Sequence, residues 1–134
     1  MFSETIPSQI DMVEPLVSRA MRTMTEHKCV NGQAAAAELS LREALANAIL
    51  HGNRQHADKR VQLDCFHESD GCMLVVVRDE GKGFDPATVR DPTLPENILR
   101  PGGRGIYLIR RFMDEVDYLN GGRELRMRKR KTHL

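Results

Sequence analysis

Leu41-Arg42-Glu43-Ala44-Leu45-Ala46-Asn47-Ala48-Ile49-Leu50-His51-Gly52 is the stretch from which the fold can be read. It lies within a run from Ala34 to Leu50 that is dense in strong helix formers, with Leu41, Leu45 and Ala48 spaced to share one face. That pattern predicts a helix burying this face, with Gly52 and Asn53 supplying its stop. Glu43 and Asn47 stand at i and i+4, so both side chains project from the same side, one turn apart. An acid and an amide so placed suit a proton acceptor and a neutral oxygen ligand for Mg²⁺. Taken alone, the same spacing more often marks a solvated helix surface. His51, with His56 and Asp58, straddles a helix end and a turn, a spacing that favours a loop histidine over a metal set.

Working outward, a short strand is expected over Phe2 to Ile6, and then Ile10, Val13, Val17, Ala20 and Met24 recur at helical intervals. Ser8 and Asp11 have the spacing of a capping box, while Pro15 either kinks this helix or moves its start later; the helix should run to about His27. Val30-Asn31-Gly32 reads as a break. Downstream, Val61, Leu63 and Cys65 alternate with polar neighbours, Ser69-Asp70-Gly71 turns the chain, and Met73 to Val77 is a β-branched run. Those features predict an antiparallel hairpin. A third helix is expected over Ile106 to Met113, and Asn120-Gly121-Gly122 should join strands at Val116 to Leu119 and Glu124 to Arg128. The order β, α, α, β, β, loop, α, β, β is an α+β pattern: a two-layer α/β sandwich with a mixed, mostly antiparallel sheet and about three helices on one face.

Two glycine-rich segments carry further chemistry. In Arg78-Asp79-Glu80-Gly81-Lys82-Gly83-Phe84-Asp85, Asp79 ends the Val-rich strand and Gly81 and Gly83 follow it. A carboxylate on rigid backbone suits an exocyclic amine such as that of adenine, and glycines leave room for a flat ligand. A plain turn reads from the same residues. In Arg100-Pro101-Gly102-Gly103-Arg104-Gly105, free amides at a helix start and the Arg104 charge make an anion site, or else a glycine-rich hinge. Neither segment is a Walker loop or a dinucleotide fingerprint. Between them the prolines and glycines punctuate a stretch without period, as functional loops do.

The chain has 134 residues, a net charge of +1 and 40% hydrophobic residues, which fits one soluble domain spanning 1–134. No apolar run is long enough to cross a bilayer, and MFSETIPSQID lacks the build of a signal peptide, so a cytoplasmic location is expected. Cys29, Cys65 and Cys72 form no CxxC pair and read as reduced packing thiols. Residues 123–134 carry six basic side chains against one acidic, a local +5 beside −4 for the rest. No aromatic interleaves that run, which argues against direct nucleic-acid binding and for a charged edge strand and tail.

Taken in order, helical Glu-x-x-x-Asn, strand-Asp-x-Gly-x-Gly, a loop and Gly-Gly-x-Gly opening a helix resemble the GHKL, or Bergerat-fold, ATPases. Residues 41–52 and 102–116 look most like the anti-sigma-factor serine/threonine-protein kinases of bacteria. The resemblance implies that Glu43 is the base, Asn47 holds Mg²⁺ and Asp79 meets adenine beside Gly81 and Gly83. It likewise implies that Gly102, Gly103, Arg104 and Gly105 wrap the phosphates of ATP, that 84–101 is the ATP lid, and that 129–134 is a basic tail outside the motifs. It further implies a homodimer, a sigma factor as one partner and a STAS-type anti-anti-sigma protein as phosphoacceptor, with Arg19 and Arg22 on the partner surface. Two other functions fit the motifs: a catalytically silent ATP-binding switch, and a detached histidine-kinase catalytic domain. Against the latter, residues before 34 offer one helix rather than a phosphoacceptor hairpin. The late-sheet hydroxyl of other GHKL proteins has Leu125, Arg126 and Met127 in its place.

Overall fold

Alternation of apolar and polar residues places five strands in one sheet, seen here in a computed structural model that describes residues 1–26, 34–54, 56, 58–68, 73–81 and 109–130. The strands are β1 (Phe2–Pro7), β2 (Arg60–His67), β3 (Met73–Asp79), β4 (Glu115–Leu119) and β5 (Glu124–Lys129). Their order is β1-β2-β3-β5-β4. Every pairing among them is antiparallel, so the expected mixed sheet is antiparallel throughout the described strands. Register sets Phe2 opposite Cys65, Val61 opposite Asp79 and Val77 opposite Leu125. Because side chains alternate across a strand, this puts Val61, Leu63, Cys65, Met73, Val75, Val77, Leu125 and Met127 on one buried face.

Two helices cover that face: α1 (Val13–Glu26) and α2 (Ala34–Asn47). Leu16, Val17, Ala20 and Met24 of α1 and Ala37, Leu41, Ala44 and Leu45 of α2 join the same core, with Ile109 and Met113 from a further segment whose residues 109–112 are helical. Each fully buried aliphatic side chain adds about 1.5–3 kcal/mol of hydrophobic stabilisation. Arg42 ties the two helices together, reaching Glu14 on α1 and Glu38 on its own helix.

Several sequence expectations shift. Ile10–Met12 forms a 3-10 turn and α1 starts at Val13, which leaves Pro15 in the first turn where its missing N–H costs nothing. No capping box forms: no side chain caps the turn at Gln9, and the Ser8 hydroxyl is instead engaged by Asn53. The basic run is not an edge strand, since β5 lies between β3 and β4. Its charges are matched by acids: Arg126 pairs with Glu124 of the same strand, Arg128 with Glu68 and Glu115, and Arg130 with Glu115. Lys129, expected in the tail, is the last residue of β5. On the solvent face of the sheet Arg78 joins the buried carboxylates of Asp64 and Glu124 at 2.9 and 2.5 Å. The break at 30–32, the turn at 69–71, Cys29, Cys72, the start of the third helix and residues 131–134 lie outside the described residues.

Candidate functional site

The helix stop is built differently from the sequence reading, and that difference makes the site. At Ala48 the α-helix gives way to a π turn, Ala48–Gly52, closed by a 2.8 Å bond from the Asn53 N–H to the Ala48 carbonyl. The residue that takes the left-handed conformation and ends the helix is Arg54, at φ 51°. A π turn inserts one residue and advances the helix by about 100°, the step of one position, and such insertions concentrate at functional sites. Here it lays Gly52 against the end of β3.

The contact is close. A Cβ on Gly52 would stand 2.4 Å from Asp79 Oδ2, and one on Gly81 would stand 1.7 Å from the Gly52 carbonyl oxygen. Only glycine fits at either position. The Gly81 N–H donates to Asp79 Oδ1 at 2.9 Å, and the Asp79 N–H donates to the Arg123 carbonyl at 2.9 Å. Asp79 is thus fixed by its own turn and by the neighbouring strand. Burial pushes its carboxyl above the usual aspartate range, against the Gly81 hydrogen bond and the nearby charges of Arg123 and Lys59.

In front of Asp79 lies a shallow cleft, open to solvent at its mouth. Ala44, Asn47 and Ala48 form its helical wall, Val77, Asp79 and Leu125 its floor, and Tyr118, Gly122 and Arg123 the far side. Apolar walls with a few convergent polar groups are what a flat heterocycle needs. Asn47 points a side-chain amide into this setting with its Nδ2 buried and without a partner. An unpartnered buried amide is costly in an empty protein and becomes useful when a ligand supplies the missing contact. Glu43 is half-buried one turn before Asn47, about 6 Å along the helix, and is not among the cleft-lining residues.

Of the residues singled out in the sequence, Asn47, Asp79 and Gly81 come together here, while Gly83, Gly102, Gly103, Arg104 and Gly105 lie outside the described residues. Four features were not legible. Gly52 was read as a helix stop and is a close-approach position. Asn53, also read as a stop, is fully buried. Tyr118 lines the cleft from β4, and burial pushes its pKa up to about 12. Arg123 lines the cleft from the β4–β5 turn. Alternation along β5 turns Leu125 inward and Arg126 outward, which separates residues that the sequence leaves as neighbours. Arg19 is held by Glu4 at 2.9 Å, whereas Arg22 is exposed.

Residues 6–129 match the histidine kinase-like ATPase domain. Among curated proteins, the anti-sigma F factor of Heyndrickxia coagulans is 39% identical over 79 residues, 56% of this chain and 52% of that protein. The serine-protein kinase RsbW of Staphylococcus epidermidis is 33% identical over 85 residues, 59% of this chain and 54% of that protein. The chain thus spans about half the length of these two relatives. The anti-sigma F factor of Priestia megaterium is 30% identical over 116 residues, 84% of this chain and 68% of that protein. A solved histidine kinase domain from the blue-light activated histidine kinase EL346 of Erythrobacter litoralis shares the fold, with TM-score 0.50 and 24% identity over 71% of this chain and 42% of that one. A helix bearing Glu43 and Asn47 against a strand ending in Asp79, matched over nearly the whole chain, places this protein in the histidine kinase-like ATPase (GHKL) family.

Proposed function

We propose that the chain is a protein serine/threonine kinase acting as an anti-sigma factor: it binds Mg·ATP in the cleft and transfers phosphate to a small STAS-type anti-anti-sigma protein. The observation that carries this reading is the convergence of Asn47 and of Asp79, whose turn Gly81 closes, on one largely apolar cleft. The names of the curated relatives, anti-sigma F factor and serine-protein kinase RsbW, support the partner class. On the same reading residues 1–134 act as one ATPase domain, as a homodimer in the cytoplasm, with exposed Arg22 on the partner surface of α1.

Asp79 Oδ2 accepts from the adenine amine, its other oxygen being taken by the Gly81 N–H. Asn47, one turn from Glu43, would hold the cation through its amide oxygen, which leaves its buried, unpartnered Nδ2 to donate to an oxygen of the ligand. Mg²⁺ held through Asn47 would draw its other ligands from phosphate oxygens and water, as is usual for that ion. When bound, the ion neutralises charge on the β- and γ-phosphates. The acceptor hydroxyl oxygen bonds to the γ-phosphorus as the bond to the β–γ bridging oxygen breaks. Its proton passes to the Glu43 carboxylate, and ADP leaves. On the same reading Gly102, Gly103, Arg104 and Gly105 would hold the phosphates, Gly83 would border the base, and 84–101 would serve as the ATP lid.

The test is transfer of labelled phosphate from ATP to a candidate antagonist protein. Glu43→Gln should lower the transfer rate about 10²- to 10⁴-fold while ADP affinity by calorimetry stays put. Normal transfer by that variant removes Glu43 as the base. ATP retained by the wild-type protein without transfer marks the silent switch instead.

A further inference from the structure

Asn53 uses its amide on three separate segments at once. Its Oδ1 accepts from the Glu80 N–H at 2.8 Å, and its Nδ2 donates to the Arg60 carbonyl at 3.0 Å and to the Ser8 Oγ at 3.2 Å. Its own N–H closes the π turn. The side chain is 0% exposed, so water offers no substitute for any of these bonds. Glu80 lies between Asp79 and Gly81, the two residues whose turn aims the cleft carboxylate. Gly52, next to Asn53, packs on that carboxylate from the other side.

We infer that Asn53 is a positioning residue for base recognition: its bond to the Glu80 N–H fixes the Asp79–Gly81 turn on the end of the helix that carries Glu43 and Asn47. The inference rests on the ATP-site reading, in which Asp79 meets the exocyclic amine. The bonds to Ser8 and Arg60 anchor the amide, and the bond to Glu80 does the aiming. Rigid coupling of this kind makes the amine contact worth its full hydrogen bond.

The readout is the ratio of affinities for ADP and for purine riboside 5′-diphosphate, which lacks the amine. A residue that only stabilises the fold lowers both affinities in proportion and leaves the ratio alone. Wild-type protein should prefer ADP by about tenfold or more. In Asn53→Ala the preference should collapse to near unity, and in Ser8→Ala, which removes one anchor only, it should persist. A preference kept in Asn53→Ala, or lost equally in Ser8→Ala, overturns the inference. If Asn53→Ala does not fold, Asn53→Asp decides, since it keeps the acceptor for Glu80: preference retained supports the inference and preference lost overturns it. Amide exchange of ligand-free wild-type protein adds an arm that needs no nucleotide and no variant. The Glu80 N–H should be protected, and rapid exchange there overturns the tie. Should wild-type protein bind neither nucleotide, the ATP-site reading fails, and the exchange at Glu80 still judges the role of Asn53.

Discussion

Asp79 lines the cleft with one carboxylate oxygen satisfied by its own turn, and its part there is measurable at the level of a single substitution. Asp79→Asn should weaken ADP binding about 10- to 100-fold by calorimetry, because an amide replaces the charged acceptor of the amine. Burial raises the Asp79 pKa, so its folded-state value lies above its unfolded one. The charged form is the disfavoured one in the fold. On acidification Asp79 therefore protonates before an ordinary aspartate does, and ADP affinity should begin to fall above the usual aspartate range. The same titration on Asp79→Asn should lack that component. Gly52→Ala should cost about 1–3 kcal/mol in chemical denaturation and lose ADP binding, since its Cβ would press on the carboxylate. The types and spacing of Glu43, Asn47 and Asp79 were legible because their chemistry is local. Gly52 and Asn53 were not, because what each does depends on segments about 27 residues away that only the fold brings near.

Among the elements, the sequence carries α2 on to Leu50, past its end at Asn47, and does not show the π turn, since no propensity scale separates Ala48-Ile49-Leu50-His51-Gly52 from one more turn of α-helix. The strands were legible to within two residues at each end, their alternation being set by burial of one face. The solvent face was not foreseen. There Glu124 is held below the usual carboxylate range, first by its hydrogen bond from Arg78 and then by Arg126, opposed by burial. Its folded pKa is depressed, so its stabilising share is present above the ordinary glutamate value and disappears as pH falls through the folded one. Glu124→Gln should accordingly flatten the acid limb of a stability–pH profile below about pH 4.5, the ordinary glutamate value from which this carboxyl is lowered. A limb unchanged from wild type would mean that the β3–β5 pairing holds without this network.

At the scale of the whole molecule, element order and layering were visible in the sequence, but strand order was not. Nothing in residues 124–129 announces that they lie between β3 and β4. The consequence for truncation is direct. Deleting residues 126–134 removes most of an interior strand together with fully buried Met127, and cooperative thermal unfolding should vanish. Deleting 131–134 alone should leave the melting curve close to wild type; a large loss there would assign the tail a part in the fold. The interior place of β5 also bears on synthesis. While the ribosome is still making residues 115–119, β3 has an open hydrogen-bonding edge and β4 has no partner, because the strand that joins them is made after both. The nascent chain must carry that open edge until residues 124–129 emerge, so during synthesis neither the sheet nor the cleft lined by Leu125 can close before then.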